Sequence, residues 1–184
     1  MADDAIVWRS IILNGHEYCR ILHETDRHHL IGAAVFSKNH TPTSLDYFIE
    51  CDAQWRTIST QVSGWVGEKR IDILISVKSD GRWVLNGEEH KDVEGCIDVD
   101  LNFSPSTNLL PIRRLNLEIG QDAEVTAAWL RFPGFKLEPL KQTYRRLDLS
   151  TYRYESGGGT FVRDLSVNSE GLVTRYPEIW EVEK

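Results

Sequence analysis

Residues 45–56, LDYFIECDAQWR, decide how the rest of the chain is read. Leu45, Tyr47, Ile49, Cys51, Ala53 and Trp55 alternate with Asp46, Phe48, Glu50, Asp52, Gln54 and Arg56. A period of two belongs to a half-buried strand, whereas helical spacing would set Asp52 among the apolar residues. The stretch is expected to be one long strand.

Working outward, the same style recurs. Residues 6–12 and 17–23 read as two strands about an Asn14-Gly15 turn, and 29–36 (HLIGAAVF) as a third, with Gly32 and Ala33 leaving room for a close neighbour. Residues 57–66 continue in β style, and Ile71, Ile73, Ile75 and Val77 alternate. Asp80-Gly81 turns that strand into Trp83, Val84 and Leu85, because glycine supplies the positive φ such a turn needs. Later strands are expected at 115–119 and 123–132 as a hairpin about Gly120-Gln121-Asp122, then at 137–146, 151–155 and 160–167. A turn at 168–171 follows, and Pro177 ends the closing strand. Gly157-Gly158-Gly159 reads as a flexible connection rather than a phosphate loop. No long amphipathic helix is visible, although 106–113 fits one short helical turn.

About a dozen short strands joined by turns predict an all-β, antiparallel sandwich, barrel or roll. The 184 residues show no linker-like shift and no repeat, so a single domain over 1–184 is expected. The acidic excess, 28 carboxylates against 21 basic residues, argues against a general nucleic-acid binder. The N-terminus lacks the pattern of a secretory signal, no run approaches a membrane span, and Cys19, Cys51 and Cys96 fit no disulfide framework. A cytoplasmic protein with free thiols is the expectation. Nothing in the residues fixes an oligomeric state.

The richest candidate chemistry lies in 95–117, GCIDVDLNFSPSTNLLPIRRLNL. Asp98, Asp100 and Asn102 share one parity, Ile97, Val99, Leu101 and Phe103 the other, and Arg113 and Arg114 follow a turn at 104–106. Carboxylates two apart repel, and arginine offers a rigid fork of donors, so Asp98 and Asp100 are expected to meet Arg113 or Arg114. That cluster would grip sugar hydroxyls or an anionic head group at the mouth of a groove, or serve only as a structural ion-pair network. Gln142, Tyr144 and Arg146 share a strand face that would extend its polar wall. Trp129, on the parity of Val125 and Ala127, is expected in the core. His16, Cys19, His23, Glu24, Asp26, His28 and His29 are the densest set of metal-ligand types, but their spacing matches no standard finger, so no metal site is assigned. There is no G-x-S-x-G elbow, Walker A loop, G-x-G-x-x-G or H-E-x-x-H, and no cofactor is implied.

The runs GCIDVDLNFSPSTNLLPIRRL, AAWLRFPGF, QTYRRL and GLVTRYPEIW together resemble a bacterial family named for glycolipid binding. The resemblance covers most of the chain and is densest from residue 95 to residue 180. It implies a many-stranded antiparallel β-roll or half-barrel, and an amphipathic, glycolipid-like ligand. It carries over no catalytic residues. The expected ligand-binding set is therefore Asp98, Asp100, Arg113, Arg114, Gln142 and Tyr144. The other readings are an enzyme acting on a sugar or lipid through Asp98 and Asp100, which needs only two well-placed acids, and a protein interaction module. A pocket of more than about 300 Å³ open to the Asp98 face would favour a ligand over a protein partner.

Overall fold

The computed structural model of the chain describes residues 4–183. In chain order the strands are β1 (Ala5–Ser10), β2 (Asn14–His23), β3 (Arg27–Lys38), β4 (Thr41–Asp52), β5 (Thr57–Val66), β6 (Lys69–Val77), β7 (Trp83–Leu85), β8 (Glu88–Glu89) and β9 (Val99–Leu101). A 3-10 turn (Ser106–Asn108) leads into the short helix α1 (Leu109–Leu115). Then come β10 (Asp122–Arg131), β11 (Lys136–Arg146), β12 (Thr151–Ser156), β13 (Phe161–Val167), β14 (Val173–Tyr176) and β15 (Trp180–Val182). The fold is all-β, as the alternation requires.

All fifteen strands join one sheet, in the order β8-β7-β6-β5-β4-β3-β2-β1-β15-β14-β13-β12-β11-β10-β9. The first and last strands thus meet in the middle, where Trp8 stands opposite Val182. Every pairing is antiparallel except that of β9 with β10. The two edge strands are consecutive in the chain, and the residues between them can span at most about 30 Å. The sheet must therefore curl until its edges approach. Ile97 O accepts from Thr57 N at 3.1 Å and Thr57 Oγ1 accepts from Val99 N at 3.0 Å, so the connecting segment crosses from one half of the roll to the other.

Alternate residues of each strand turn into the curl. In β4 the buried set is Thr43, Leu45, Tyr47, Ile49 and Cys51, with the intervening residues exposed or half-buried. Gly32 of β3 faces Tyr47, and a Cβ there would lie 2.2 Å from the tyrosine ring, so only glycine admits that phenol. Trp8 and Trp83 are fully buried, and their indole N–H groups donate to Val173 O at 2.5 Å and Cys96 O at 3.0 Å. Cys19, Cys51 and Cys96 are buried and unpaired.

The sheet alone would leave a hollow, and 99–112 fills it. Leu101, Phe103, Leu109, Leu110 and Ile112 are all buried. A helix the length of α1 has little stability of its own, so burial of these side chains, at about 1.5–3 kcal/mol each, holds it in place. Pro111 sits in its first turn, where a missing N–H costs nothing. Asn116, at φ 42°, ends the helix in the left-handed conformation that asparagine tolerates.

Three expectations are corrected. Asn14-Gly15 is not a turn: both residues open β2, and the reversal lies at 11–13, where Leu13 N donates to Ser10 Oγ at 2.9 Å. Gly15 is needed for close packing instead, since a Cβ there would stand 2.1 Å from Val35 O. Residues 115–119 form no strand; they close α1 and lead away from it, and β10 pairs with β11 and β9. The alternation over 97–103, read as a strand, yields one only at Val99–Leu101, although Asp98 O still accepts from Ala128 N at 2.8 Å and Asn102 N donates to Leu130 O at 3.4 Å.

Candidate ligand-binding site

The six expected site residues divide among three places. Asp98, just before β9, is 1% exposed and takes two donors of Arg114: Nε reaches Oδ1 at 2.9 Å and Nη2 reaches Oδ2 at 2.5 Å. Desolvation pushes the Asp98 carboxyl up and Arg114 opposes it. The pair ties the start of β9 to the end of α1 and closes the plug into a loop. Both groups are occupied by each other.

Asp100 lies in β9 between buried Val99 and Leu101 and opposite Trp129 of β10. Its Oδ2 accepts from Gln142 Nε2 at 2.7 Å, and no arginine reaches it among the described residues. Burial raises its pKa to about 6, with the Gln142 bond pulling the other way. The side chain is nonetheless only half-buried, because it borders a cleft. Gln142 Nε2 also lies 3.1 Å from Tyr154 Oη, which fixes the amide between carboxylate and phenol. Tyr144, on the same face of β11, donates to Asn108 Oδ1 at 3.0 Å and pins the turn before α1. Its role is to hold the plug, and it does not line the cleft.

The cleft beside Asp100 has a volume of about 480 Å³. Its walls are largely aromatic and aliphatic: Trp129, Leu140, Phe161, Tyr176, Ile179 and Trp180. Asn108, Ser104 and Tyr154 add polar atoms near Asp100. Trp129 is thus a cleft wall rather than the core residue its parity implied. A larger depression of about 570 Å³ adjoins Gln142 and Ser156, but Glu124, Lys141 and Glu155 give it a charged lining with little to hold an apolar chain. Aromatic walls with a few polar groups gathered around Asp100 make this cleft the candidate site.

Arg113 is elsewhere. Adjacent residues on a helix point about 100° apart, so only one of the two arginines can face Asp98. Arg113 instead lies over the Trp55 ring, 5.3 Å from its centre. Arg146 faces Tyr152 at 5.7 Å and donates to the carbonyls of Leu117, Asp148 and Leu149. The expected four-charge cluster therefore does not assemble: Asp98 and Arg114 come together, while Asp100 and Arg113 part from them and from each other.

One buried acid escaped the sequence reading. Glu17, 1% exposed, accepts from Tyr47 Oη at 2.7 Å and from Ser104 Oγ, and burial raises its pKa to about 8. Its parity with Cys19 on β2 was the available signal, since that face is otherwise apolar. The candidate metal ligands scatter: Cys19 faces the core, His16 pairs with Glu183 at 2.9 Å, and His23 and His28 lie 3.2 Å apart. No metal-type cluster of three or more such side chains occurs among the described residues.

Fold and site together define an open antiparallel half-barrel, plugged by its own short helix and grooved along one wall. The model of the family described as "Putative glycolipid-binding" matches residues 5–182. The chain belongs to that family. It is also similar to a crystal structure of a DUF1089 family protein from Pseudomonas aeruginosa, at 31% identity and a TM-score of 0.77, over 90% of this chain and 91% of that one. None of the curated proteins matches.

Proposed function

We propose that this protein binds an amphipathic small molecule of glycolipid type in the Asp100 cleft. The observation that carries the reading is Asp100, held by Gln142, at the edge of a groove whose walls are largely apolar. Oδ2 is engaged at 2.7 Å, and Oδ1 has no hydrogen-bond partner among the described residues. A carboxylate oxygen held this way accepts from a sugar hydroxyl, and the aromatic walls take an acyl or alkyl chain. The volume, about 480 Å³, falls within the range of small-molecule sites. The family description supports the same ligand class.

A two-carboxylate hydrolase is less well supported. Such chemistry needs a second free acid, and Asp98 is committed to Arg114. The groove likewise favours a small ligand over a protein interaction module, although it opens beside Asp100 and not at the expected Asp98. Buried, unpaired Cys19, Cys51 and Cys96 accord with a reducing, cytoplasmic setting. No helix among the described residues is long and apolar enough to cross a membrane.

Isothermal titration with octyl glucoside below its micelle concentration tests the reading. Saturable binding at one site per chain is expected, with glucose alone and octanol alone each binding far more weakly. Equal affinity for octanol and octyl glucoside would remove any role for the polar end of the cleft.

A further inference from the structure

A second pocket, of about 430 Å³, lies at the C-terminal end of α1, away from the Asp100 cleft. Trp55, Arg113, Asn116, Arg146 and Tyr152 line it, and no carboxylate does among the described residues. The absence of a counter-charge is selective. The other half-buried arginines are all neutralised: Arg27 by Glu50 at 3.0 Å, Arg114 by Asp98 at 2.5 Å and Arg163 by Glu178 at 2.5 Å. Among the described residues only Arg113 and Arg146 are half-buried without an acid partner, in a chain where acids outnumber bases 28 to 21.

The two guanidinium groups are prepared differently. Arg146 spends one donor on each of three backbone carbonyls, which fixes its plane without cancelling its charge and leaves two N–H groups free. Arg113 donates to no acceptor among the described residues, and its guanidinium lies over the Trp55 ring. Both cations act on the Tyr152 phenol and oppose the rise that burial gives it, so their fields converge on one point. Trp55 itself is buried, with His28 stacked on its ring at 4.1 Å.

We infer that Arg113 and Arg146 form an oxyanion site for a phosphate monoester, with Trp55 and Tyr152 walling the organic group. Two uncancelled forks match the charge and the several acceptor oxygens of a phosphate dianion, and arginine binds such groups through paired donors. The phosphate comes either from a soluble sugar phosphate or from the head group of an anionic lipid. The site does not depend on what the Asp100 cleft holds.

Titration of the full chain with glucose 6-phosphate at low ionic strength provides the test, beside inorganic phosphate, glucose, and phosphatidylcholine vesicles with and without phosphatidic acid. Glucose 6-phosphate or phosphatidic acid vesicles are expected to bind saturably, and glucose is not. Arg113→Gln should weaken that binding at least tenfold, as loss of a charged fork does. Arg145→Gln removes the same charge from an exposed position next in the chain to Arg146 and should change it less than twofold. Binding to the vesicles alone, lost in Arg113→Gln, supports the site and assigns the phosphate to a lipid. A nuclear magnetic resonance titration of the Arg113 Nε–H signal in the unaltered protein keeps the test valid should the variant unfold: that signal must move with bound phosphate. Equal losses in Arg113→Gln and Arg145→Gln, an Arg113 signal that stays still, or no saturable binding of any phosphate probe overturns the inference.

Discussion

Gln142 donates to Asp100 across β10, at 2.7 Å, and this bond decides which way the carboxylate of β9 faces. With Oδ2 engaged by the amide, Oδ1 is left toward the cleft. The strand neighbours Val99 and Leu101 fill the core, so the alternation of a three-residue strand separates packing from recognition.

Asp100→Asn should leave the fold intact and weaken ligand capture. The amide keeps an acceptor for Gln142 but loses the charge that strengthens a bond to a hydroxyl, worth on the order of 1 kcal/mol, or several-fold in affinity. The melting temperature at pH 7 is expected to hold or rise slightly. A fall of more than about 10 °C would make Asp100 a structural residue.

Binding in the Asp100 cleft should weaken in acid. With a pKa raised from 3.8 to about 6, the carboxylate is charged at pH 7.5 and mostly protonated at pH 5. The stability effect runs the opposite way, because the folded state holds this proton more tightly than the unfolded chain: its contribution is full below about pH 4 and is lost as pH rises to about 6. Titrations at pH 5 and pH 7.5 check the sign, and tighter binding at pH 5 would contradict it.

Arg114→Leu should be costly. Removing the guanidinium strands a buried carboxylate, a loss of about 3–5 kcal/mol, whereas Asp98→Leu combined with Arg114→Leu should recover much of it. Chemical denaturation of the three proteins measures this. A double variant no more stable than the single one would mean that the pair's value lies in geometry rather than in charge compensation.

Much of the fold was legible and the assembly of the site was not, for definite reasons. β4 could be read because its inner residues Leu45, Tyr47 and Ile49 meet a dry core while Asp46 and Glu50 do not. Gly32 announced a close neighbour, which is Tyr47. α1 was blurred because Leu109, Leu110, Pro111 and Ile112 are all buried, and a run of four apolar residues in a two-turn helix leaves too little length for a period to show. Shared parity implied that Asp98 and Asp100 would act together. It failed because Asp98, one residue before the strand, is claimed by Arg114 of α1, while Asp100 is held by Gln142 of β11. The cleft walls come from β10, β11 and β13–β15, so their convergence belongs to topology rather than to any local pattern.

Glu17 gives the protein an alkaline weakness. Its pKa rises from 4.5 to about 8, so the folded state binds its proton more tightly than the unfolded chain between those values. Stability contributed by this group is therefore full below about pH 4.5 and declines as pH climbs to about 8. Glu17→Gln should change little at pH 5 and stabilise at pH 8, by an amount on the order of 2–4 kcal/mol. Melting curves of both proteins at the two pH values read the difference directly, and identical pH profiles would mean that Glu17 ionises normally.

The most direct test of the Asp100 cleft as the ligand site uses the indole N–H signals of the uniformly 15N-labelled protein during a titration with octyl glucoside. Trp129 and Trp180 line the cleft, whereas Trp65 is 51% exposed on β5 and does not line it. The Trp129 and Trp180 signals should shift saturably and together, with Trp65 unmoved. Shifts confined to Trp65, or none at Trp129 and Trp180 while the ligand binds, would contradict the account.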